Sequence, residues 1–151
     1  MIKRVQIYLL SGKLAFSDSG LLIKTILGSC VSVCLWDSKN KTGAMNHFLL
    51  PVWSGRGLAT PKYGNVAMEA LYEKMITNGS NPDDLSAKLF GGARIYPGSG
   101  GGYDPGRENI AEAKKKLEKF DVPVTAEDIG GNQGRVVIFC TDSGDVYVRK
   151  N

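Results

Sequence analysis

Leu27-Gly28-Ser29-Cys30-Val31-Ser32-Val33-Cys34-Leu35-Trp36-Asp37 carries a strict alternation, in which Val31, Val33 and Leu35 interleave with Ser32, Cys34 and Trp36. A period of two places alternate side chains on opposite faces and belongs to a β-strand. The polar run Asp37-Ser38-Lys39-Asn40-Lys41 follows as a turn, and Ala44 to Leu50 resumes an apolar stretch stopped by Pro51. Strand, turn and strand predict a hairpin. Folded about that turn, Trp36 lies opposite about residue 42 and Cys30 opposite about residue 48, so Cys30 and His47 become neighbours in space. Whether their side chains share a face depends on register, because a one-residue slip turns a side chain to the other side of the sheet.

Working outward, residues 2 to 8 and 21 to 27 are rich in Val, Ile and Leu between Gly-containing turns and read as strands. Residues 87 to 96 and 122 to 127 read likewise, and 135 to 140 with 146 to 150 form a hairpin across Thr141-Asp142-Ser143-Gly144-Asp145. Two helices interrupt the strands. In residues 64 to 78, Met68, Leu71, Tyr72, Met75 and Ile76 fall on one face of a 3.6-residue period, with Gly79 as the terminating residue. The second helix begins near Asp104-Pro105, a capping residue followed by a first-turn proline, and turns Ile110, Ala113, Leu117 and Phe120 inward. Lys114, Lys115, Lys116 and Lys119 lie mainly on its outer side, as a solvated face or a patch for an acidic partner. Many strands with two inserted helices predict an α/β (α+β) class, a layered sandwich rather than a doubly wound nucleotide fold.

Composition narrows the chemistry. The 151 residues suit one domain over 1–151 that needs no stapling by disulfides or metal. His47 is the single histidine, which excludes any mechanism that needs two imidazoles. Three cysteines, Cys30, Cys34 and Cys140, never in C-x-x-C spacing, fit a reducing compartment. The interrupted apolar run near the N-terminus has no small-residue cleavage site, and no run approaches membrane-spanning length, so a cytoplasmic protein is expected. The net charge of +4 is uneven: residues 1 to 62 hold eight basic residues against Asp18 and Asp37. That excess suits an acidic partner, or is a solvated surface with chance asymmetry.

Cys30 and His47 are the leading candidates for chemistry. An imidazole beside a thiol shifts it toward reactivity, and Gly28-Ser29 before Cys30 permits a tight turn that aims backbone N–H groups at a developing oxyanion. The alternative is a buried, inert thiol and a satisfied core histidine. A Cys₃His zinc site fails if the strand assignment is right, since residues four apart on a strand are separated by roughly 13 Å, while two zinc ligands lie within about 4.6 Å of each other. Cys34 and Cys140 are then core residues. Gly98 to Gly102 matches no phosphate-binding pattern and reads as a loop, while Glu127-Asp128 and Asp83-Asp84 read as surface or turn pairs.

Residues 27 to 37 resemble the signature of the CheD family of chemoreceptor glutamine deamidases. Gly43-Ala44-Met45-Asn46-His47-Phe48-Leu49-Leu50-Pro51 is similar to its second motif. Further similarities are Tyr63-Gly64, Ala67-Met68-Glu69, residues 87 to 93, Gly106-Arg107-Glu108-Asn109 and residues 126 to 131 followed by Gly134-Arg135. The resemblance implies an enzyme that converts receptor glutamines to glutamate with Cys30 as nucleophile, His47 as base and Thr25 as the threonine that completes the site. It implies a layered fold similar to toxin-type cysteine deamidases, no cofactor, methyl-accepting chemotaxis receptors as protein substrate and a CheC-type phosphatase as a second partner. It implies no nucleic-acid partner and no membrane insertion. Two other functions stay open: a non-catalytic adaptor for receptor or phosphatase, and a receptor methylesterase using the same site.

Overall fold

Among residues 4–95 and 102–151, which the computed structural model describes, nine strands and two α-helices form. In chain order they are β1 (Gln6–Tyr8), β2 (Leu14–Ser17), β3 (Leu22–Leu27), β4 (Val31–Asp37), β5 (Thr42–Asn46), α1 (Gly64–Thr77), β6 (Leu85–Gly91), α2 (Pro105–Lys119), β7 (Val124–Ile129), β8 (Arg135–Cys140) and β9 (Val146–Lys150). They make two mixed sheets, a four-stranded one in the order β1-β3-β8-β9 and a five-stranded one in the order β2-β5-β4-β6-β7. Both helices pack on one face of the larger sheet, and the smaller sheet covers its other face. The layered α+β expectation is met.

The alternation in β4 explains this layering. Val31, Val33 and Leu35 face the helices and join Met68, Leu71, Met75 and Leu117, all fully buried. Cys34 faces the other way and joins Ile23, Leu27, Met45, Val137 and Phe139 between the sheets. A strand buried on both faces needs no charged side, so small and apolar residues fill both. The sheets approach closely at Gly43, where a Cβ would meet the Phe139 ring at 2.8 Å and the Thr141 Cα at 3.1 Å. On α2, Asp104 accepts from the Arg107 N–H and Pro105 opens the first turn, as the sequence predicts. Tyr72 of α1 stacks on Phe120 beyond α2 with centroids 4.2 Å apart, tying the two helices together.

Several boundaries differ from the sequence reading. The β4–β5 hairpin forms, but Trp36 pairs with Gly43 and Val31 bridges Phe48, which moves the register by one residue. The cause is Asp37, read as a turn residue. It belongs to the ladder opposite Thr42, while its carboxylate accepts from the N–H groups of Lys39 and Asn40 and from Ser80 Oγ. The apolar run after Ala44 leaves the ladder at Asn46, whose Oδ1 takes the Val33 N–H at 2.8 Å. Strand β2 lies outside the strands that the sequence predicts, because at four residues its alternation is too short to register. Strand β6 stops at Gly91, with φ of 102°, rather than running to residue 96. Strand β7 begins after Pro123, which has no N–H to give a ladder. The first strand spans Gln6–Tyr8 without residues 4 and 5, and residues 2 and 3 of its expected range lie outside the described residues. Most of the glycine run 98–102, with residue 96, lies outside the described residues. Asp128 is more than a surface residue: it pairs with buried Arg135 at 3.0 Å. Lys116, expected on the outer face, is mostly covered and pairs with Glu69 of α1 at 2.9 Å.

Candidate active site

Cys30 ends the turn that joins β3 of one sheet to β4 of the other, and it is half-buried. His47 follows β5 and is 4% exposed. With Val31 opposite Phe48, Cys30 comes opposite Leu49, and His47, two residues earlier, takes the same face as Cys30. The one-residue shift in register is therefore what turns His47 toward the space between the sheets. Phe48, on the alternate face, packs with Val31 beneath the helices.

Thr25 reaches the same space from the other sheet. On β3 it lies between Ile23 and Leu27, both of which point into the intersheet core, and it is fully buried. Its Oγ1 lies 2.7 Å from His47 Nδ1 and 2.8 Å from the Leu9 carbonyl. A carbonyl can only accept, so the single hydroxyl proton goes to Leu9. The hydroxyl then accepts from Nδ1–H, and this proton count leaves the Nε2 lone pair available as a base. The turn between β1 and β2 completes the support, because the Gly12 N–H donates to the His47 carbonyl at 2.7 Å.

Both ionisable groups are held neutral. Burial lowers the His47 pKa to about 4, against a smaller upward pull from the Leu9 carbonyl. Burial also pushes the Cys30 thiol above its ordinary 9.0, opposed in part by its own backbone N–H. Among the described residues no hydrogen bond joins Cys30 Sγ to His47. The resting arrangement is a thiol and a neutral imidazole rather than an ion pair. Cys34 and Cys140 are buried, 1% and 3% exposed, with their thiols raised chiefly by burial.

The turn before Cys30 is tied down at each carbonyl. Gly28 O accepts from the Ala93 N–H, Ser29 O from Asn109 Nδ2 and Cys30 O from the Gly92 N–H, at 3.0, 3.1 and 2.9 Å. A cleft of about 270 Å³ opens beside it, lined by Ser29, Ala93, Arg94, Ile95, Tyr103, Asp104 and Pro105. Sequence reasoning did not single out Leu9, Gly12 or Asn109. A backbone acceptor such as Leu9 O or a backbone donor such as Gly12 N–H leaves no mark in residue type, and Asn109 is visible in the sequence only as part of a motif.

The chain matches a family model described as CheD chemotactic sensory transduction over residues 49–150. It is 48% identical over 126 residues to "Probable chemoreceptor glutamine deamidase CheD" of Trichlorobacter lovleyi, covering 83% of this chain and 78% of the relative. It is 42% identical over 147 residues to the protein of the same name from Sulfurimonas denitrificans, covering 95% and 94%. The match to the family model starts after His47, whereas the Sulfurimonas match leaves too few residues uncovered to omit either position 30 or position 47. In structure the chain is similar to the Bacillus licheniformis hypothetical protein YfiH, with a TM-score of 0.53 at 16% identity over 76% of this chain and 49% of that one. That likeness concerns the fold alone.

Proposed function

The chain belongs to the CheD family, and from that premise we propose that it deamidates glutamine side chains of chemoreceptors through Cys30, His47 and Thr25. The observation that carries the assignment of residues is the buried Thr25–His47 hydrogen bond, which leaves Nε2 free on the face that Cys30 shares. Because both partners rest neutral, proton transfer accompanies attack. The Cys30 thiol gives its proton to His47 Nε2 as sulfur bonds to the carboxamide carbon of the glutamine. The oxyanion of the tetrahedral adduct accepts from backbone N–H groups at the Cys30 turn. The imidazolium then passes its proton to the amide nitrogen, the C–N bond breaks and ammonia leaves a thioester. Water gives a proton to Nε2 and attacks the thioester, the imidazolium returns that proton to the departing Cys30 sulfur, and the glutamic acid formed ionises to glutamate. Thr25 touches no reacting atom; it holds the tautomer and orientation of the ring.

The family resemblance also supports a cytoplasmic setting and a CheC-type phosphatase as partner. Among the described residues no helix is long and apolar enough to cross a membrane. Intact mass of a receptor fragment tests the reaction, since each deamidation adds about one mass unit. Wild type produces the shift and Cys30→Ala does not. An equal shift from Cys30→Ala overturns the thiol mechanism, and loss of methyl groups in place of the shift identifies a methylesterase.

A further inference from the structure

We propose that Asn109 is a positioning residue for the deamidation, orienting the Ser29–Cys30 peptide so that the Cys30 N–H faces the oxyanion; this rests on the deamidase reading above. Asn109 lies in the second turn of α2 and is fully buried. Its Nδ2 donates to Ser29 O at 3.1 Å and to Leu49 O at 2.9 Å. One amide group therefore links the peptide that precedes Cys30 to the segment two residues beyond His47, from an element that belongs to neither strand. The nitrogen must be the atom that faces them, because an oxygen set between two carbonyls has nothing to accept.

The peptide bond makes this contact directional. Among the described residues every peptide bond is trans, and in a trans peptide C=O and N–H point in opposite directions. Holding Ser29 O on α2 thus aims the Cys30 N–H away from the helix, toward its own sulfur, where that N–H already lowers the thiol's pKa. The negative oxygen of the adduct forms beside that sulfur. Neighbouring carbonyls at Gly28 and Cys30 are held by backbone N–H groups, so Ser29 O is the link that depends on a side chain. A further sign is that, among the described residues, Asn109 Oδ1 is buried without a partner. A side chain chosen for packing alone would not bury an unsatisfied oxygen.

The test compares wild type with Asn109→Leu and Asn109→Ala, using Cys30→Ala as reference. It measures kcat and KM on a receptor fragment, the rate of Cys30 alkylation by iodoacetamide across pH, and the thermal midpoint. Alkylation at a saturated carbon consumes the thiolate but builds no oxyanion, so its limiting rate at high pH reports Cys30 without the oxyanion donor. The expected result is a loss of about 10- to 100-fold in kcat, with KM and the limiting alkylation rate at high pH unchanged and the alkylation profile moved to higher pH, because the Cys30 N–H no longer lowers the thiol's pKa. If Asn109→Leu does not fold, Asn109→Ala, which leaves space for water, carries the comparison. A kcat within twofold of wild type overturns the proposal. So does a loss of kcat matched by an equal loss in the limiting alkylation rate, which marks a purely structural role. Wild type without a mass shift, or an active Cys30→Ala, instead overturns the deamidase reading on which the proposal stands.

Discussion

A histidine kept neutral by burial leaves a signature in stability as well as in rate. His47 ionises at about 4 in the folded protein and near 6.5 when exposed. Between those values the unfolded chain binds the extra proton, so stability falls as pH drops through that window. From pH 7 to about pH 5 the predicted loss is about 2 kcal/mol, and urea melts of wild type and His47→Gln check it, the variant losing that slope. The Cys30 thiol, raised above 9.0 by burial, is expected to alkylate with a single rise above that pH. A reactive plateau near neutrality, which a thiolate–imidazolium pair would give, would contradict the neutral pair. Thr25→Val strips His47 Nδ1 and the Leu9 carbonyl of their common partner. It is predicted to destabilise by about 1–3 kcal/mol and to lower kcat with little change in KM, as denaturation and steady-state assays would show.

Elements meet at the site through backbone contacts that tolerate little change. A Cβ on Gly106, in the first turn of α2, would lie 2.5 Å from Gly92 O and 2.6 Å from Ala93 O. Those are backbone atoms of the segment that holds the Gly28 and Cys30 carbonyls. Gly106→Ala is therefore predicted to lift α2 from the turn, lowering stability by about 1–3 kcal/mol, and to reduce deamidation together with it, measured by thermal melts and product mass. The helices and most strands were legible because their periods are long and their caps local, as with Asp104-Pro105 and the alternation of β4. Strand β2 and the exact pairing of β4 with β5 were not. A four-residue edge strand has too little pattern, and the capture of Ser80 by Asp37 is a contact 43 residues apart that local rules do not contain.

Across the whole molecule, the basic excess of residues 1 to 62 bears on substrate capture. Lys62 packs against Gly12, which holds the His47 carbonyl, Lys13 is next in chain, and Arg94 lines the cleft beside Ser29. Cationic groups around a site draw in an acidic protein and are screened by salt. Raising salt from low to about 0.5 M is predicted to raise KM for an acidic receptor fragment several-fold with kcat nearly constant, and Lys13→Gln with Lys62→Gln to flatten that dependence. A salt-independent KM would assign the excess to ordinary surface.

The amino-acid sequence alone determined the layered class and both helices, and it supplied Cys30, His47 and Thr25 as the proposed site. The class and the helices follow from periodicity and caps, which are local. The site choice follows from a single histidine and from the family likeness of the motifs around it. Tertiary structure decided how the three residues relate. A one-residue shift in register set the face of His47, and the second sheet brought Thr25 to its ring. Asn109 came to the Cys30 turn from a distant helix. Face, tautomer and peptide orientation depend on contacts between residues remote in the chain, and only packing brings those together.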